Sequence, residues 1–100
     1  MRLIYKLCEH IKEELEDSER YIKCAFNYRR DYPDTADLFY TLAKEECDHA
    51  KRLHTAVEKI ISKVENEEVP KYMKDIWNEK HEEYIDEFAE ISVKIDLYTK

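Results

Sequence analysis

The chain has 100 residues, no glycine and a formal net charge of −7 at pH 7. This length suits a single domain with a limited core, so pairing with another chain would be a natural source of stability. The absence of glycine argues against loops that cradle phosphates or dinucleotides, and the dispersed basic residues argue against a nucleic-acid partner. No apolar run is long enough for a membrane span or a signal peptide, and the separated cysteines suit reduced thiols, so we expect a cytoplasmic protein.

The composition is rich in helix-forming residues and predicts an all-α fold, with one domain over residues 1–100. The first predicted helix covers about residues 3–30. Its core-facing positions recur at spacings of three and four residues, which predicts one face toward a partner helix. These positions are Ile4, Leu7, Ile11, Glu14, Ser18, Tyr21, Ala25 and Tyr28. The helix is expected to end before Pro33, because proline lacks an amide donor and restricts the residue before it.

A second helix is predicted over about residues 34–65, with Asp34 or Thr35 as its N-terminal cap. Its expected core-facing positions are Phe39, Leu42, Glu46, His49, Leu53, Val57, Ile60 and Val64. Because the connection to the first helix is short, the two helices should form an antiparallel hairpin with their faces together.

A third helix is predicted over about residues 71–98, after a connection at 66–70. Its expected apolar face consists of Met73, Trp77, Tyr84, Phe88, Ile91 and Ile95. We expect this helix to pack across the hairpin or across a partner chain.

Three polar residues, Glu14, Glu46 and His49, interrupt the predicted apolar faces of the first two helices. A buried carboxylate without a partner costs several kcal/mol, so the cluster needs compensation. Glu46 and His49 are three residues apart and share a helical face, and an antiparallel hairpin turning near Tyr32 places Glu14 level with both. This set is half of the ligands of a di-iron helical bundle. The alternatives are a buried salt bridge or hydrogen-bonded trio without a metal, or an error in the helical frame that leaves these residues at a solvated edge.

Two segments carry a resemblance to a known family: Glu13-Glu14-Leu15-Glu16 followed by Tyr21, and the run Leu-Ala-Lys-Glu-Glu-Cys-Asp-His-Ala at 42–50. They resemble the ferritin-like superfamily, most closely the encapsulated-ferritin type, whose subunit is a two-helix half bundle. The resemblance covers about residues 10–61. It implies a homodimeric four-helix bundle, with Glu14, a bridging Glu46 and His49 from each chain as ligands of two iron ions per dimer. The implied activity is ferroxidase-type oxidation of Fe(II), and other divalent metals are also candidates.

Five further residues are secondary ligand candidates. Glu13 and Glu16 correspond, by the resemblance, to flanking carboxylates that hold additional ions, and His81, Glu83 and Glu87 on the third helix could approach the metals. All five also suit an ordinary solvated polar surface. Residues 95–100 do not resemble the tail that loads such proteins into a capsid, so no capsid partner is expected.

The sequence contains Glu-x-x-His once, at Glu46 and His49, so a complete site requires a second copy related by a twofold axis, in a homodimer or a higher oligomer of dimers. The competing hypothesis is a non-catalytic helical interaction protein in which the trio is a structural polar cluster or binds zinc. A metal-dependent oxygenase of small molecules is a third option and would require an open pocket. His10 and His54 lie beside the predicted faces and receive no chemical role.

Overall fold

The computed structural model describes residues 2–64 and 71–100. It consists of three helices, α1 (Arg2–Tyr28), α2 (Pro33–Val64) and α3 (Lys71–Tyr98), with no strand in the described ranges. The all-α prediction is therefore confirmed for these ranges. The predicted connection at 66–70 and the predicted last residue of the second helix lie outside the described residues.

The turn between α1 and α2 differs from the prediction at Pro33, which is the first residue of α2 and not part of the turn. The amide of Ala36 donates to the carbonyl of Tyr32 at 2.9 Å, so the first turn of α2 already includes Tyr32 as its cap. Proline is well suited to the first helical position, because the amide it lacks would have no partner there. Asp34 in the first turn adds a favourable charge at the helix N-terminus.

The helices α1 and α2 form the predicted antiparallel hairpin, and small residues line its interface. Ser18, Ala25, Ala36, Ala43 and Ala50 are all completely buried. The buried hydroxyl of Ser18 donates to the carbonyl of Ala43 at 2.7 Å, so this polar group has a partner across the interface. Small side chains let two helix backbones approach closely, so polar side chains level with this contact are brought near each other.

The third helix packs on one side of the hairpin, parallel to α1 and antiparallel to α2. Its buried side chains are Met73, Trp77, Tyr84 and Ile91. The hydroxyl of Tyr84 donates to the carbonyl of Cys8 at 3.1 Å, and Lys94 contacts Glu19 on α1 at 3.0 Å. The predicted apolar face of α3 is thus the face that covers the hairpin.

The predicted core face of α1 is partly wrong. Leu15 and Ile22, which were not predicted, are buried, whereas the predicted Tyr28 is 47% exposed. On α2 the predicted Val57 is buried, but Leu42, Glu46 and His49 are less buried than the residues that directly follow them, Ala43, Cys47 and Ala50. One cause is that residues such as Leu15 and Cys47 pack in one core cluster with α3, so several of the predicted positions are only half-buried.

None of the three helices combines the length and hydrophobicity that a membrane span requires. Cys8, Cys24 and Cys47 are free thiols, and burial raises the pKa of Cys8 and of Cys47. Both thiols are thereby kept protonated and weakly reactive.

Candidate metal centre

The hairpin brings Glu14 of α1 together with Glu46 and His49 of α2. The Nδ1 atom of His49 lies 3.5 Å from Oε2 of Glu14 and 3.7 Å from Oε1 of Glu46. One ligand atom from each of the three side chains lies within 4.8 Å of the other two. Glu14 therefore lies level with Glu46 and His49, as the antiparallel pairing predicted. Two carboxylates and one imidazole at this spacing are a ligand set suited to iron and other divalent transition metals.

The electrostatics of this cluster favour a cation. The Oε2 atom of Glu14 is buried and accepts no hydrogen bond from the described residues. The pKa of Glu46 is raised to about 7, because its carboxyl group can share a proton with Glu14, because it is partly buried, and because Glu14 and Asp17 are negative nearby. His49 opposes this rise when it is protonated. A divalent ion would supply the missing positive charge and the missing partner of Glu14, so the residues present fit a metal.

The raised pKa of Glu46 gives a testable pH dependence for the metal-free protein. Folded Glu46 keeps its proton up to about pH 7, whereas the unfolded chain releases it near pH 4.5. The folded state therefore binds more protons between these values, and its free energy of unfolding should fall as pH rises through that window, by on the order of 1 to 3 kcal/mol. Urea denaturation at pH 5 and pH 8, with chelator present, measures the difference.

The control pair for this measurement is Glu46→Gln and Glu45→Gln. Glutamine at 46 removes the titrating group and should remove most of the pH dependence, whereas Glu45 is exposed and its replacement should leave the dependence in place. An unchanged dependence in Glu46→Gln would show that another group is responsible.

The three ligand candidates lie on the side of the hairpin away from α3. The carbonyl of Cys8 accepts a hydrogen bond from Tyr84 and so marks the side of α1 that meets α3. With 3.6 residues per turn, Glu14 lies roughly a third of a turn around α1 from Cys8. The side chains of Glu14 and Glu46 are 25% and 20% exposed, and that of His49 is 50% exposed. His49 was predicted to face the core, and within one chain it is open to solvent instead.

The secondary candidates lie elsewhere. Glu13 pairs with His10 on the surface of α1, at 3.6 Å, and Glu83 pairs with Lys80 on α3, at 3.5 Å. On the α3 side of the molecule, Glu87 lies among other acidic residues, including Glu16, and burial together with their negative charge raises its pKa. The structure therefore does not bring Glu13, Glu16, Glu83 or Glu87 to the cluster of Glu14, Glu46 and His49.

His81 belongs to a different group, which the sequence reasoning missed. It lies with His54 and Glu58 of α2, and these three side chains also offer ligand atoms within 4.8 Å of one another. The signal was present in the sequence, because His54 and Glu58 are four residues apart and share one helical face. What the sequence did not show is that this face meets α3.

A family model described as Rubrerythrin matches residues 7–98. Comparison with curated proteins and with solved structures finds no match. The family match extends over α3 and so goes well beyond the stretch of residues 10–61 that carries the encapsulated-ferritin resemblance. It includes Glu14, Glu46 and His49, and it supports the prediction of a ferritin-like fold with a di-iron site. Because the match spans nearly the whole chain, this protein belongs to the rubrerythrin family, within the ferritin-like superfamily of di-iron proteins.

Proposed function

We propose that two copies of this chain pair through their α1–α2 hairpins and oxidise Fe(II) at a two-iron site that both copies share. The observation that carries the proposal is the cluster of Glu14, Glu46 and His49, with ligand atoms within 4.8 Å of one another, on the hairpin face that α3 leaves open. The proposed pairing is the one implied by the sequence resemblance to encapsulated ferritins, whose subunit is a two-helix half bundle. Membership of an iron-binding family makes iron the first choice of metal.

One chain supplies only half of the ligands. A complete di-iron bundle site uses a glutamate from each of two helices and a Glu-x-x-His pair from each of two others. This sequence has a single Glu-x-x-His, and the described acidic residues of α3 do not join the cluster. A second copy related by a twofold axis would supply an identical half and complete the site.

The open face of the hairpin also has the pattern expected of a helix-packing seam. On α1 its positions recur every seven residues and include Leu7, Glu14, Tyr21 and Tyr28. On α2 the half-buried residues Phe39, Leu42, Glu46 and Leu53 are separated in turn by three, four and seven residues. Such a heptad seam packs into the matching seam of another helix pair, and burial of its half-exposed apolar groups would drive the pairing.

In the proposed reaction iron is the substrate. Two Fe(II) ions each lose one electron, and one dioxygen takes up both electrons and two protons to give hydrogen peroxide, with two Fe(III) as the other product. Glu14 and Glu46 would hold the ions and neutralise part of their charge, and Glu46 would release its proton as a metal binds. His49 would bind through a nitrogen of its imidazole.

Anaerobic loading with Fe(II), followed by metal analysis and size determination, tests this proposal. We expect about one iron per chain, which is the stoichiometry of a shared two-ion site, in a dimer or a multiple of dimers. Admission of oxygen should then oxidise the bound iron. A monomer that binds no iron above the background of a chelator-treated control would contradict both the metal and the pairing.

The alternative, a structural polar or zinc cluster, has one observation in its favour. A protonated His49 lies close enough to both carboxylates to neutralise part of their charge without a metal. A structural cluster of this kind predicts a protein that folds and pairs equally well with chelator, and a zinc cluster predicts that zinc and not iron is retained after aerobic loading.

A further inference from the structure

A second group of potential metal ligands lies where α2 meets α3. The Nε2 atom of His54 is 2.8 Å from Nδ1 of His81, and the Nδ1 atom of His54 is 3.1 Å from Oε1 of Glu58. The same Glu58 oxygen lies 3.9 Å from Nδ1 of His81. Two imidazoles and one carboxylate, on two different helices, are thus gathered within the range of a single ion.

Aromatic side chains hold the two imidazoles in place. The rings of His54 and His81 stack with their centroids 4.8 Å apart, and Trp77 lies against both, at 5.2 and 5.6 Å. Phe88 meets the ring of His54 edge-on at 6.0 Å. Fixed ring orientations reduce the entropy that would be lost on binding an ion, so the cluster is preorganised.

The burial and the access of this cluster also suit a metal. The side chain of His54 is only 12% exposed, so an ion held beside it would be partly shielded from water. An open groove of about 280 Å³, lined in part by Glu58, Trp77 and His81, leads from this cluster to solvent. An ion could enter through it, and a water molecule could occupy a fourth coordination position.

The cluster is separate from the centre formed by Glu14, Glu46 and His49. His54 faces α3, whereas His49, five residues earlier, lies on the open side of the hairpin, and five residues turn a helix by roughly 140°. The two groups share no residue.

We propose that His54, Glu58 and His81 form a second metal site, which binds one Zn(II) per chain and fastens α3 to the hairpin. Two histidines and one glutamate are a ligand set that zinc uses with an open fourth position. Unlike the first centre, this site is complete within one chain. It therefore needs no partner subunit.

The test uses full-length protein in which Glu46→Ala and His49→Ala have removed the first centre. Zn(II) alone is the probe, and calorimetry gives its stoichiometry. The sole tryptophan, Trp77, lies against both histidines, so its fluorescence reports on binding directly. We expect one Zn(II) per chain, a change in Trp77 emission and a rise in melting temperature that chelator reverses.

His81→Ala should weaken Zn(II) binding in this background by at least about 100-fold, since even substitutions outside the ligand shell of a metal cost 10- to 100-fold. The matched control is His10→Ala, which removes an exposed histidine that is also paired with a glutamate and should leave binding unchanged. Glu58→Gln, at a half-exposed position, removes the carboxylate with little risk to folding and should also weaken binding.

Binding of Zn(II) that survives both His81→Ala and Glu58→Gln would overturn the proposal, as would the absence of any Zn(II)-dependent change in the folded background protein. Either result would leave the three side chains as a hydrogen-bonded packing cluster. Neither result bears on iron oxidation, because the first centre is absent from the protein tested.

Discussion

Replacing Glu46 with alanine should reduce Fe(II) oxidation by at least about 100-fold and reduce bound iron from about one per chain to near zero. The family resemblance assigns the bridging role to Glu46, whose Oε1 atom lies 3.7 Å from Nδ1 of His49. Because each chain would contribute the same residue, the substitution removes two ligands from one shared site. Oxidation is followed by the appearance of Fe(III) absorbance after oxygen is admitted to anaerobically loaded protein.

The matched control is Glu45→Ala, which removes the same charge from an exposed neighbouring position. It should bind and oxidise iron at the rate of the unmodified protein. Loss of ligation in Glu46→Ala should not be accompanied by unfolding, because the substitution removes the like-charge repulsion between Glu46 and Glu14. Undiminished oxidation in Glu46→Ala would contradict the proposed site.

The second large effect concerns pairing. Leu42 is half-buried and lies four residues before Glu46 on the open face of the hairpin. Glutamate at this position would place one unpaired charge from each copy in the proposed seam, and burying such charges costs several kcal/mol. Leu42→Glu should therefore raise the dissociation constant of the dimer by at least about 100-fold, equivalent to about 2.7 kcal/mol. Sedimentation at several concentrations measures this shift.

Iron binding should be lost together with pairing, while circular dichroism should show that the helices remain. Thr41→Glu is the control. Thr41 directly precedes Leu42, but its side chain is exposed and points away from the seam. A Leu42→Glu variant that stays dimeric would mean that the copies pair through another surface. A variant that is monomeric but still binds iron normally would mean that one chain completes the site.

The helices themselves could be predicted from the sequence to within about two residues at the described ends. Their apolar spacing and the break at Pro33 are local signals, and local signals decide where a helix runs. The start of α2 was placed one residue late because proline was read as part of the turn. Its preference for the first position of a helix was the signal that should have decided this point.

The orientation of the helices about their own axes was harder to predict. Both α1 and α2 carry two adjacent apolar stripes, and periodicity alone does not say which stripe α3 covers. Leu15 and Ile22 are buried because they lie on the stripe that α3 shields, whereas Tyr28 lies on the other stripe and stays exposed. The choice between stripes depends on contacts between residues far apart in sequence.

The grouping of Glu14 with Glu46 and His49 was predictable, because it depends only on the pairing of two helices joined by a short turn. The position of His81 was not, because it depends on how α3 lies on the hairpin. Nothing in the sequence shows that α3 runs so that His81 meets His54. The same dependence on α3 explains why the sequence left open whether Glu83 and Glu87 lie near the metals.

A site shared between two identical chains, as proposed, would have a genetic consequence. In the proposed pair, any codon change at Glu14, Glu46 or His49 appears twice in the same centre, so the two ions cannot acquire different surroundings by point mutation. Duplication and fusion of the gene would remove this restriction, because each half could then vary independently. In a cell that expresses both the normal and an altered copy in equal amounts, random pairing would leave about a quarter of the centres fully normal.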